Sequence, residues 1–154
     1  MVVREAGLND LDKLMLLYTQ LNKSNTMNYD ANIDDIYKAI IADDKQFVFI
    51  VETEYKLVST CMLSIISNLT HSQRPYAIIE NVVTDEKHRK KGYAEKVLRV
   101  AIETARKRNC HKIVLMTYSK FDYVRKLYEK IGFDCKKAMG FVLDFERGER
   151  YENN

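Results

Sequence analysis

Apolar positions recur in two different periods along this chain, and the switches between them mark its elements. Val2-Val3-Arg4 is a short β-prone opening. Asn9 then stands as a helix cap ahead of Leu11, Leu14, Met15, Tyr18 and Leu21, spaced three and four apart as one helix face requires. A second stripe follows Asn32: Ile33, Ile36, Tyr37, Ile40 and Ile41, with Asp35 as a weaker stand-in for a capping-box acid. It stops near Asp43 and Asp44. From Gln46 the pattern becomes apolar and β-branched over 46–52 and again over 56–66, with a few polar residues between, which predicts a hairpin. After a polar loop over 67–74, a third run at 76–84 reads as a buried strand. Glu80 and Asn81 stand in its middle, so a buried carboxylate is expected there.

Residues 85–91 form a charged turn. Gly92 opens the strongest helical pattern, with Ala94, Val97, Leu98, Ala101, Ile102 and Ala105 on one stripe and Arg106, Lys107 and Arg108 at the end that the helix dipole favours for cations. Residues 112–117 predict a short strand. Phe121, Val124, Leu127, Tyr128 and Ile131 predict a helix closed by Gly132, and residues 139–145 a last strand. The order β-α-α-β-β-β-α-β-α-β pairs an early hairpin with a later strand–helix–strand crossover. It predicts an α/β fold with a mixed sheet covered by helices.

Composition narrows the class without naming a function. The 154 residues suit one domain, taken as 1–146 with a polar tail over 147–154, and 46% hydrophobic against 31% charged residues is globular. A net charge of +3 does not suggest wrapping by nucleic acid, and no apolar stretch approaches a membrane span. With no signal-like segment at the start, a cytoplasmic protein is expected. Cys61, Cys110 and Cys135 are widely spaced and form no metal-ligand pattern. His71, His88 and His111 read as scattered surface residues, so no metal site is expected. Met15, Met62, Met116 and Met139 fall on predicted core stripes.

The sharpest local signal is Arg89-Lys90-Lys91-Gly92-Tyr93-Ala94, placed between a strand and the first turn of a helix. Unpaired amides and the positive end of the dipole make a helix start an anion site, and glycine lets a phosphate approach the backbone. The same letters also suit a solvated basic turn. In its wider setting, from Ile79 to Ala94, the segment resembles the coenzyme A motif Arg/Gln-x-x-Gly-x-Gly/Ala of the GNAT superfamily of N-acetyltransferases. Leu127-Tyr128-Glu129-Lys130-Ile131-Gly132-Phe133 resembles that family's second signature, Tyr-x-x-x-Gly-Phe. Both motifs stand in the family's order, and the element order matches from end to end.

The resemblance implies a mixed, mostly antiparallel sheet flanked by helices and acetyl-CoA as donor. It implies that the strand before the loop splays from its neighbour and that Val82, Val83 and Thr84 offer main-chain groups to the donor's pantetheine arm. Arg89, Lys90, Lys91, Gly92, Tyr93, Ala94 and Glu95 would surround the pyrophosphate. Tyr128 would be the general acid and Glu80 the general base, directly or through water. The family's asparagine before the tyrosine helix is missing, and Ser119 is the candidate carried over in that region. The acceptor expected is a small-molecule primary amine, such as an amino sugar or amino acid derivative, acetylated in a ternary complex. The alternatives are a protein acceptor, a catalytically idle coenzyme A-binding module, or a nucleic-acid-binding α/β domain. Family members often pair through their C-terminal strands, and residues 141–145 would serve in a homodimer.

Overall fold

The computed structural model describes residues 1–21, 32–54, 56–143 and 145. They form two compact units, residues 1–118 and residues from 119 onward. The predicted polar tail lies outside the described residues.

The first unit is built on a five-stranded sheet in the order β1 (Val2–Glu5), β2 (Gln46–Glu52), β3 (Leu57–Ile66), β4 (Tyr76–Thr84) and β5 (Ile113–Leu115). The first four strands pair antiparallel and β5 runs parallel to β4, so the sheet is mixed and mostly antiparallel, as expected. Strand alternation assigns the two faces. On one, Leu14 and Leu17 of α1 (Leu11–Tyr18) and Tyr37 of α2 (Ile33–Ala42) pack with Val48, Ile50, Leu57 and Val83. On the other, Val97, Leu98, Ala101 and Ala105 of α3 (Tyr93–Lys107) are buried over β2, β3 and β4, where Cys61, Leu63 and Ile79 are sealed from solvent. Each large side chain so buried stabilises the fold by roughly 1.5–3 kcal/mol.

The start of α1 differs from its prediction. A 3-10 turn at Leu8–Asp10 precedes the helix, and Asp10, not Asn9, occupies the cap position. The Asp10 carboxylate does not cap α1. It accepts from the Gly7 amide at 2.8 Å and from Arg4 at 2.6 and 2.9 Å. Arg4 also reaches Glu52 at 2.7 Å, stapling β1 to β2 and to the turn, and its hydrogen bonds hold both carboxyls below their ordinary range. Asn32 does occupy the cap position of α2, without a side-chain cap bond.

The second unit carries α4 (Asp122–Lys130). Its end is a complete Schellman stop: Gly132 adopts φ 102°, its amide donates to Glu129 O, and the Phe133 amide donates to Tyr128 O at 3.0 Å. The Phe133 ring meets the Tyr128 ring edge-on at 6.1 Å, the apolar contact that accompanies this motif. The predicted last strand is not formed: residues 139–143 have no regular structure, Met139 and Phe141 are exposed, and Asp144 lies outside the described residues. β-branched and aromatic letters favour a strand only where a ladder partner exists. Met116 is likewise half exposed and not part of the core stripe expected for it.

Candidate functional site

Strand β4 changes character at its midpoint. From Tyr76 to Ile79 it is laddered on both edges, to β3 and, at Ala77, Ile78 and Ile79, to β5. Past Ile79 the β5 ladder ends, so the edge from Glu80 to Thr84 has no strand partner among the described residues. On the β3 side the register slips there: Met62 faces Glu80, Thr60 faces Val83, and Asn81 and Val82 together oppose Cys61. This is a β-bulge, with Asn81 in the left-handed region at φ 53°. Asparagine is among the few non-glycine residues that accept that conformation readily. The bulge resets the alternation, and Glu80 and Val83 thereby face the same side of the sheet. Glu80 and Asn81 are exposed, so the buried carboxylate expected from the sequence is absent: the open edge leaves it in solvent.

The bulge also sorts the main-chain groups. The Asp85 amide donates to Val58 O at 2.9 Å and Ser59 Oγ to Val83 O at 3.1 Å, so residues 83 and 85 turn toward β3. Thr84 therefore turns its main chain to the open edge, where its carbonyl accepts from Arg89 Nε at 3.3 Å.

Beyond Thr84 the chain is anchored by Asp85, a fully enclosed carboxylate that sequence reading places in a solvated turn. It accepts from the Lys87 amide, from Gln20 Nε2 at 3.1 Å and from Lys56 Nζ at 2.5 Å, and pairs with His88 Nδ1 at 2.6 Å. Gln20 closes the circuit by accepting from the Glu86 amide at 2.8 Å. Burial alone would raise the Asp85 pKa, but the hydrogen bonds from His88, Lys56 and Gln20 prevail and hold it well below the carboxylate range. The signal available in the sequence was an Asp directly after an apolar strand, a residue type that caps tight turns with its own carboxylate.

This brace presents residues 89–95. Gly92, at φ 80°, is the cap of α3, and no side chain caps the helix. A Cβ at Gly92 would meet nothing within 4 Å, so the space over the first amides of α3 is open. Lys90, at φ 61°, and Lys91 are exposed with no ion-pair partner among the described residues. Tyr93 and Ala94 are half-buried, and Glu95 is held by Arg99 at 2.8 Å. The residues fit a pyrophosphate: a 15-residue helix start, a glycine that leaves room, and three cations within three positions.

Tyr128 and Ser119 belong to the second unit. Tyr128 is half-buried on α4 beside Phe133, and Ser119 Oγ accepts from the Phe121 amide at 3.4 Å where the chain enters that helix. Elsewhere, Cys61 is sealed in the sheet and burial pushes its thiol up to about 12, so it is packing. His71 and His111, read as scattered, stack at 4.0 Å, and Arg74 donates to the carbonyls of Asn109 and Cys110 rather than to Glu80. The loop before β4 is thus pinned to the turn before β5. Among the described residues, no helix is long and apolar enough to cross a membrane.

Comparison with known proteins bears on this geometry. The model of the acetyltransferase (GNAT) family matches residues 12–133. A provisionally assigned acetyltransferase from Agrobacterium tumefaciens str. C58 is 38% identical, with a TM-score of 0.86 over 94% of this chain and 99% of that one. Two more distant structures share the fold. Glucosamine-6-phosphate N-acetyltransferase from Arabidopsis thaliana is 22% identical, with a TM-score of 0.82 over 94% of this chain and 97% of that one. A transcriptional regulator from Bacillus halodurans C-125 is 23% identical, with a TM-score of 0.79 over 94% and 99%. A comparison with curated proteins returns no match.

Proposed function

Since the chain belongs to the GNAT acetyltransferase family, we propose that it transfers the acetyl group of acetyl-CoA to the primary amine of a small molecule, acting in the cytoplasm through a ternary complex. The observation that carries this reading is the conjunction on β4. An edge left open after Ile79 leads without interruption into a braced anion loop. The donor's pyrophosphate would lie on the amides of Tyr93, Ala94 and Glu95, neutralised by Arg89, Lys90 and Lys91. Its thioester arm would run along the open edge at Val82 and Thr84, with Val83 fixing the strand to β3. Ser119 is the remaining candidate contact.

The reaction forms a C–N bond and breaks the C–S bond. The acceptor must first lose an ammonium proton, and Glu80, exposed at the point where the ladder ends, would take it directly or through water. A main-chain N–H at the bulge would donate to the thioester oxygen as negative charge develops there. The Tyr128 hydroxyl would protonate the departing sulfur.

One observation favours a second reading, a coenzyme A-binding module without turnover. The Schellman stop already gives Tyr128 and Phe133 a structural purpose, so the tyrosine does not by itself require catalysis. Titration with acetyl-CoA, together with thiol release from amines by wild type and Tyr128→Phe, separates the two. Turnover falling at least tenfold in the variant with donor affinity kept supports the transferase. Donor binding with no thiol release from any amine supports the module, and absence of donor binding overturns both.

A further inference from the structure

The sheet face around Glu80 carries information about the acceptor. Register puts Met62, Ser64 and Ile66 of β3, Tyr76, Ile78 and Glu80 of β4, and Val114 of β5 on one face. Of the six residues that share the face with Glu80, four are aliphatic, Tyr76 is aromatic and Ser64 alone is polar. Met62, which packs on the core under α1 and α2, and Ser64, Ile66, Tyr76 and Ile78 are half-buried, and Val114 is 38% exposed, so a mostly apolar floor with a single hydroxyl lies partly exposed beside one carboxylate. Glu80 has no hydrogen bond or ion pair among the described residues. It lies one residue past the last β4–β5 rung, where the acetyl carbonyl would be presented.

Three cations described in the first unit have partners of their own. Lys56 is bound to buried Asp85, and Arg74 is spent on two carbonyls. Lys112 lies over the Tyr76 ring at 5.7 Å from its centroid. Tyr76 is four residues from Glu80, roughly 13 Å along a strand. A polyol laid on Met62 and Ile78 would also lose hydrogen bonds to water and gain none from those side chains.

We propose that the acceptor is a primary amine carried on an apolar body, an alkyl or arylalkyl amine, with its ammonium against Glu80 and its body on the floor formed by Met62, Ile78 and Val114. The inference rests on the acetyltransferase reading. The amine nitrogen bonds to the acetyl carbon, its proton leaves through Glu80, the C–S bond breaks, and the products are the N-acetyl amine and free coenzyme A. An apolar floor discriminates by the area it covers, and a single methyl-sized change in such a pocket alters selectivity several-fold.

The test compares thiol release from acetyl-CoA with hexylamine, phenethylamine, glucosamine and glucosamine 6-phosphate, for wild type and Ile78→Thr. The threonine keeps the β-branch that the strand prefers and makes the floor polar. Donor titration and thermal melts of both proteins report whether the fold and the cofactor site survive. The expected result is kcat/KM at least tenfold higher for hexylamine or phenethylamine than for either sugar. In Ile78→Thr, KM for the preferred amine should rise roughly fivefold with donor affinity unchanged. A preference for glucosamine or its phosphate overturns the inference and leaves acetyl transfer standing. An unchanged KM in a folded, donor-binding Ile78→Thr protein also overturns it. No turnover of any of the four amines by donor-competent protein overturns the transferase reading, and the inference with it.

Discussion

The two halves of β4 make opposite use of the same chain. Ala77–Ile79 is paired on both edges and ends in a sealed isoleucine, 1% exposed. The next residue, Glu80, is exposed, and within five residues the strand bulges, loses one partner and hands the chain to a loop of cations. The sequence marks the boundary only with the polar pair Glu80-Asn81, which does not say that a strand partner is lost there. The lesson is that a functional edge can be made by withholding a neighbour: β5 stops at Leu115, and the main chain of β4 is left to bind something else.

That contrast can be broken by substitution. In the closed half, Ile79→Ala should cost about 3–4 kcal/mol, because a fully enclosed side chain leaves a cavity between the sheet and α3. Glu80→Gln, one position on, should leave the melting temperature within error. Chemical denaturation of the pair measures the difference directly. Next in size, Asp85→Ala should cost about 3 kcal/mol by leaving Lys56, His88 and Gln20 without their acceptor.

The pH dependence has a definite sign. Asp85, Asp10 and Glu52 titrate lower in the folded protein than in the unfolded chain, so the stability they contribute is full above a pH of about 4 and is lost as pH falls through and below it. Melts between pH 7 and pH 3 should steepen below that point, and Asp85→Ala should flatten the slope.

Gly92→Glu should weaken acetyl-CoA binding about a hundredfold, near 2.7 kcal/mol, by placing a carboxylate over the open amides of α3 and straining a residue at φ 80°. Calorimetric titration checks it. The smallest effect belongs to the bulge. Asn81→Val should destabilise by about 1–2 kcal/mol because a β-branched residue resists φ 53°, while Asn81→Gly should be close to neutral. If valine were tolerated as well as glycine, the bulge would not depend on the residue that occupies it.

Much of this molecule was legible before any coordinates. The two helical stripes, the hairpin, the crossover helix and the strand before it follow from periodicity, because in those segments the core sits on one side and the pattern reports it. The loop proposed to hold the anion stands out because Gly92 and its cations lie next to one another in sequence. What periodicity could not report were contacts between distant positions. Asp85 looked like one more charge in a turn, yet its partners Lys56 and Gln20 come from other elements. The pairing of His71 with His111 likewise depends on two loops that only the sheet brings together. The last predicted strand failed for the complementary reason. Phe141, Val142 and Phe145 have strand-forming side chains, but a strand also needs an edge to join, and sequence pattern does not supply one.

The Asp85 brace ties the proposed anion loop to distant parts of the chain. Its partners Lys56 and Gln20 lie 29 and 65 residues back along the chain, so the braced form of the loop needs the hairpin and the segment after the first helix in place. Ordering that a free loop would undergo on meeting its ligand is completed during folding instead. A nascent or partly unfolded chain, for all the lysines it displays, holds no shaped receptor, and ligand recognition becomes a property of the finished unit alone.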